Sequence, residues 1–109
     1  MAKNMIILNR GDSLDLTLAL TVDGVSYTMQ EGDFLYFGVM RPDQKFEDAF
    51  IRQRYTKDDY TAGGYLVIKL KPEDSLYLLP GVYYYSLKLK KADGTVITLL
   101  PKTKFVIQD

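Results

Sequence analysis

Leu14, Leu16, Leu18 and Leu20 alternate with Asp15, Thr17, Ala19 and Thr21, a period of two that predicts a strand with one buried face. Asp23-Gly24 follows as a tight-turn signal, since both residues tolerate positive φ, and predicts a hairpin into a second strand over residues 25–29. Glu31-Gly32-Asp33 turns the chain again. Residues 34–40, Phe-Leu-Tyr-Phe-Gly-Val-Met, are apolar on both faces, as expected of a central strand covered on one side and crowded on the other. Arg41-Pro42-Asp43 ends that strand; a further strand is expected over residues 49–54, and residues 57–64 read as a polar connection.

Alternation then resumes. In residues 65–70 it points Leu66, Ile68 and Leu70 inward and Tyr65, Val67 and Lys69 the other way. Pro72 suits a first helical position, and Glu73 with Asp74 suits the positive end of a helix dipole, so one short helical turn is predicted before Pro80-Gly81. Residues 82–90 place Tyr83, Tyr85, Leu87 and Leu89 on one face and Tyr84, Ser86, Lys88 and Lys90 on the other. Ala92-Asp93-Gly94 predicts a hairpin to a strand over residues 95–100. Pro101 interrupts the ladder as a bulge or an edge would, and residues 104–107 close the domain. No segment reads as a long amphipathic helix. About seven short strands, with a turn signal roughly every ten residues, predict an all-β fold, an antiparallel β-sandwich. A small barrel is the alternative closure.

Composition narrows what such a fold can do. With 109 residues, the chain has room for one core and is expected to form a single domain over residues 1–109. Fourteen basic residues balance fourteen acidic ones, so no overall field draws the molecule toward nucleic acid or an anionic membrane, and partners must be recognised locally. Cysteine and histidine are both absent. That removes disulfides, thiolate metal sites, the usual general base and the commonest zinc ligand. The N-terminal apolar run, residues 5–8, is far shorter than a signal-peptide core or a membrane span, so the product is expected to stay where it is made.

Each candidate chemistry has a simpler reading beside it. Serine or cysteine nucleophiles need a base, and without His only unusual Ser-Lys pairs remain. Paired carboxylates would serve glycoside hydrolysis, but a linear sequence does not set their separation, and solvated turns explain them better. Asp58-Asp59 lacks the oxygen-ligand spacing of a calcium loop and directly follows Lys57. Gly63-Gly64 lies between two strands, where a phosphate loop would need a strand and a helix; a flexible turn is the better reading. Arg10-Gly11-Asp12 spells an adhesion-like tripeptide at the point where the chain must turn into a strand, and the turn accounts for it. No enzyme activity, metal or cofactor is therefore expected.

The nine tyrosines are the most informative feature of composition, because tyrosine offers rigid contact area with a polar tip. Tyr83 and Tyr85 fall on the leucine face and read as core, and Tyr77 is expected to pack a loop at a corner. Tyr84 lies on the opposite face, and with Tyr65 and Val67 it forms the candidate interaction patch. Lys69, Lys71, Lys88, Lys90, Lys91, Lys102 and Lys104 could line up as a basic stripe for single-stranded nucleic acid. The zero net charge and the use of lysine to discourage edge pairing make a solvated outer face the better reading.

The order of these signals resembles the immunoglobulin-like N-terminal domain of phage baseplate upper proteins and related prophage tail proteins of Gram-positive bacteria. The resemblance is carried by Arg10-Gly11-Asp12-Ser13 opening a strand, Val39-Met40-Arg41-Pro42-Asp43 closing a central one, and Leu79-Pro80-Gly81-Val82-Tyr83-Tyr84 entering the penultimate one. Ala92-Asp93-Gly94-Thr95 and Thr103-Lys104-Phe105-Val106-Ile107 complete it. It implies an immunoglobulin-like sandwich acting as a virion structural part. Such a part docks on other tail or baseplate proteins or on itself, without cofactor, nucleic acid or membrane, and passes from the producing bacterium's cytoplasm into the virion. Members of that family continue into helical and receptor-side modules. Two rival classes are a carbohydrate-binding module that uses exposed tyrosines on a bacterial surface polysaccharide, and a small carboxylate hydrolase.

Overall fold

A computed structural model describes residues 5–22, 24–59 and 66–109. Asp23, Tyr65 and the turn expected at Gly63-Gly64 lie outside the described residues. In chain order the strands are β1 (Ile6–Asn9), β2 (Leu14–Leu18), β3 (Thr21–Val22), β4 (Val25–Ser26), β5 (Phe34–Met40), β6 (Ile51–Tyr55), β7 (Leu66–Leu70), β8 (Gly81–Lys90) and β9 (Val96–Gln108). One short helix, α1 (Pro72–Leu76), stands between β7 and β8, and 3-10 turns cover Phe46–Asp48 and Lys57–Asp59. The fold is all-β, and no helix among the described residues is long and apolar enough to cross a membrane.

Five strands form one sheet in the order β1-β9-β8-β5-β6, while β2 pairs with β7 and β3 with β4 in two-stranded ribbons. The sheet is mixed, which corrects the purely antiparallel expectation: β1 runs parallel to β9, Ile6 opposite Phe105 and Leu8 opposite Ile107. A parallel pair needs no hairpin, so no turn signal announces it. The second expected strand is also shorter than residues 25–29. Tyr27 N–H donates to the Leu20 carbonyl at 2.9 Å, after which the chain leaves the ribbon toward Asp33.

The core lies between the five-stranded sheet and the β2–β7 ribbon. Leu35, Phe37 and Val39 of β5, Tyr83, Tyr85, Leu87 and Leu89 of β8, and Phe105 and Ile107 of β9 form one cluster with Leu66, Ile68 and Leu70 of β7. Leu14, Leu16 and Leu18 pack against it half-buried from β2. Phe37 and Tyr85 meet with ring centroids 5.9 Å apart, and Tyr85 meets Phe105 edge-on at 6.1 Å. Burial of these rings together with the aliphatic side chains around them is the main favourable term for so small a domain.

Pro101 stays within β9, because a bulge absorbs it and a second lies directly beside it. From Leu100 to Thr103 β9 advances three residues while β8 advances two, from Tyr85 to Leu87, and a second extra residue falls between Leu100 and Thr98.

Polar groups fasten the ends. Asp33 is 3% exposed and accepts hydrogen bonds from Gln30 N and Ala92 N, each at 2.9 Å, and from the Tyr27 hydroxyl, joining the turn before β5 to the β8–β9 hairpin. Burial alone would raise its carboxyl, but these three donors and Lys91 nearby hold it below the ordinary value of 3.8. Gly32, at φ +87°, lies so close to Ala92 that an added Cβ would sit 2.9 Å from the Ala92 Cβ. The fully buried Ser75 hydroxyl accepts from Gly11 N at 3.0 Å, and Arg10 pairs with Asp109 at 2.7 Å, so Arg10-Gly11-Asp12 is a turn tied to α1 and to the end of β9.

Candidate docking surface

Alternation along β5, β6, β8 and β9 sends every second residue away from the core, and the registers stack these residues into rows on the outer face of the five-stranded sheet. At one end Ile7, Val106 and Val82 stand side by side across β1, β9 and β8. Ile7 is 53% and Val82 50% exposed, so the row is apolar and open. Lys104, Tyr84 and Met40 form the next row. At the opposite end Thr98, Lys88, Tyr36 and Arg54 are in register, with Phe34 opposite Lys90 beyond them.

Residues 41–50 cross the middle of this face as a strap. Lys102 Nζ donates to the Pro42 and Gln44 carbonyls, both at 2.9 Å, and Arg52 Nη1 to the Glu47 carbonyl at 2.8 Å. Phe46 sits directly on Gly38, where any Cβ would come within 2.8 Å of the ring. Gly38 is therefore the gap that lets an aromatic ring seat on the sheet. Met40 faces away from the core and is nevertheless fully buried, sharing a cleft under the strap with Gln44, Phe46, Ser86 and Lys102.

Beside the strap lies an open groove of about 540 Å³ lined by Tyr36, Phe46, Arg52, Arg54, Lys88 and Glu47 among others. Tyr36 meets Phe46 edge-on at 6.5 Å and Phe34 at 6.4 Å. The Arg54 guanidinium stands 4.8 Å over the Phe34 ring and Lys88 Nζ 5.4 Å over Phe46. The rings thus hold cations in place through their negative faces. The ion pairs among the described residues are Arg10–Asp109 and Lys57–Glu31, so Arg52, Arg54 and Lys88 have no carboxylate partner there.

The residues picked out from sequence do not come together as expected. Val67 lies on β7, whose neighbours Leu66 and Ile68 enter the core, so it faces outward from the ribbon. Tyr84 faces outward from the five-stranded sheet, on the other side of the molecule's core, and is half-buried between Met40 and Lys104. Tyr65 lies outside the described residues. Tyr77 is 84% exposed and packs no corner; Tyr83 takes that role, donating its hydroxyl to the Leu79 carbonyl at 2.6 Å. The lysine stripe divides too: Lys69 is on the ribbon, Lys71 precedes α1, Lys91 stands over Tyr27, and Lys88, Lys90, Lys102 and Lys104 share the outer sheet face. Asp59 serves its own turn, accepting from Thr56 N at 2.7 Å, and no three acidic side chains gather as a metal site would require among the described residues. The groove had a sequence signal of its own: Gly38 inside an apolar strand, and Arg52 and Arg54 at alternate positions.

The chain matches no protein-family model and no curated protein sequence.

Proposed function

We propose that this is an immunoglobulin-like domain of the phage baseplate and prophage tail type, a non-enzymatic module that docks on virion components, first of all on another copy of itself. Three features support the immunoglobulin-like reading. The β9-β8-β5 order faces a β2–β7 ribbon across one core, as G-F-C faces B-E in such sandwiches. Phe37 and Tyr85 pack at the core centre, on strands that correspond to C and F. Tyr83 makes a tyrosine corner at the entry to β8, its hydroxyl reaching a carbonyl four residues upstream.

The observation that carries the docking function is the open apolar row Ile7–Val106–Val82, set across three strands with a fixed backbone beneath it. Apolar side chains held in such a row gain by being covered, and a row of like residues is self-complementary about a two-fold axis. A docking role is favoured over a carbohydrate-binding one because the Phe34 and Phe46 rings carry their own cations, Arg54 and Lys88, where a sugar would stack. Assembly would take the protein from the cytoplasm of the producing bacterium into the virion. Light scattering over a concentration series tests the reading: a defined oligomer is expected, and a monomer at every concentration would overturn it.

A further inference from the structure

We propose that the groove beside the strap receives an acidic, extended polypeptide segment of a partner subunit. Three cations face it, Arg52, Arg54 and Lys88, without a carboxylate partner among the described residues, and the one acid on its wall is Glu47. An unpaired cluster of this kind is complementary to a ligand carrying several negative charges. Phe46 is covered by Lys88 and Phe34, next to Tyr36, by Arg54, so these two rings position charge and do not serve as stacking platforms for bases or sugars.

The spacing selects a polypeptide. Arg52 and Arg54 are alternate residues on one face of β6, which separates them by about 6.7 Å along the strand, the same distance that separates alternate side chains of any extended chain. A segment with an acid at every second position can set one carboxylate against each side chain, the Arg52 head staying on the Glu47 carbonyl through Nη1 and the Arg54 head over Phe34. Arginine's planar fork then takes each carboxylate through two parallel hydrogen bonds.

The inference rests on the reading of the domain as a docking module, but it uses the opposite end of the sheet face from the apolar row. Its test is fluorescence anisotropy on the full chain at low salt, with a fluorescein-labelled peptide of four Glu-Ser repeats as probe. A peptide of four Glu-Ser-Ser repeats, equal in charge but out of register, and one of four Lys-Ser repeats serve as comparisons. The expected result is saturable binding of the alternating acidic peptide, tighter than the out-of-register one and absent for the basic one. Arg54→Glu and Lys88→Glu should each weaken it about tenfold or more, and Arg54→Gln less. Tyr77→Ser, at an exposed residue outside both the groove and the row, should leave it unchanged. Far-UV circular dichroism and thermal midpoints establish that each variant is folded. Equal affinity for the two acidic peptides, no effect of Arg54→Glu in a folded protein, or stronger binding of inorganic polyphosphate than of the peptide would overturn the proposal. If the alternating peptide binds and light scattering finds only monomers, self-docking through the row fails while this inference stands; oligomers without peptide binding give the reverse.

Discussion

Replacing Asp33 with alanine removes one carboxylate that holds two turns together. Its oxygens accept from Gln30 N and Ala92 N at 2.9 Å and from the Tyr27 hydroxyl, and at 3% exposure no bulk water stands ready to replace it. A hydrogen bond to a charged group contributes about 1.5–3 kcal/mol, and donors left buried without a partner add their own penalty. Bonds sharing one acceptor are not additive, so the loss for Asp33→Ala at pH 7 is about 3–5 kcal/mol. That is a large part of the roughly 5–15 kcal/mol by which a domain is stable. The dependence on pH follows from the lowered carboxyl. Because its folded value lies below the unfolded one, the carboxylate's contribution is complete above about pH 5 and fades as pH falls through the folded value. Urea denaturation of wild type and variant at pH 7 and about pH 2.5 should therefore show a large deficit at the first and a smaller one at the second. A deficit of under about 1 kcal/mol at pH 7, or an equal deficit at both, would mean that the Asp33 carboxylate does not hold these turns together.

Other substitutions separate the remaining devices. Tyr83→Phe keeps the ring and removes the bond to Leu79, so denaturation midpoints should report a loss of about 1 kcal/mol, where a surface tyrosine such as Tyr77 should give nearly none. Phe37→Ala empties the centre of the core and should cost about 3–5 kcal/mol by the same measurement. Gly38→Ala drives a methyl into the Phe46 ring and should free the strap, costing about 1–3 kcal/mol and exposing residues 41–50 to limited proteolysis.

Much of the fold was legible in the sequence because burial and strand period agree. The alternation of Leu66, Ile68 and Leu70, and of Tyr83, Tyr85, Leu87 and Leu89, matches the faces that enter the core, and Pro72 opens α1 as its fixed φ predicts. Less legible was whatever depends on distant segments. The parallel β1–β9 pair joins the two ends of the described chain, and no local signal encodes it. Tyr83 was legible as core, but that its hydroxyl and not that of the exposed Tyr77 reaches a carbonyl to make the corner depends on how the chain enters β8. The candidate site shows the same limit. Alternation tells which side of its own strand a residue occupies, but not which sheet that strand joins, and so Val67 and Tyr84 seemed to share a face that the layered arrangement divides. Phe46 reaches the groove through an irregular strap, which has no period to read.

The most direct test of the docking claim is sedimentation velocity of wild type and Val82→Lys over a wide concentration series. Position 82 is half exposed and outward-facing, so lysine can extend into solvent without disturbing the core, while placing a charge in the centre of any contact built on the Ile7–Val106–Val82 row. Wild type should sediment as a defined oligomer at high concentration, and Val82→Lys should remain a folded monomer. Monomeric wild type throughout, or an oligomer that Val82→Lys leaves intact, would contradict the docking claim.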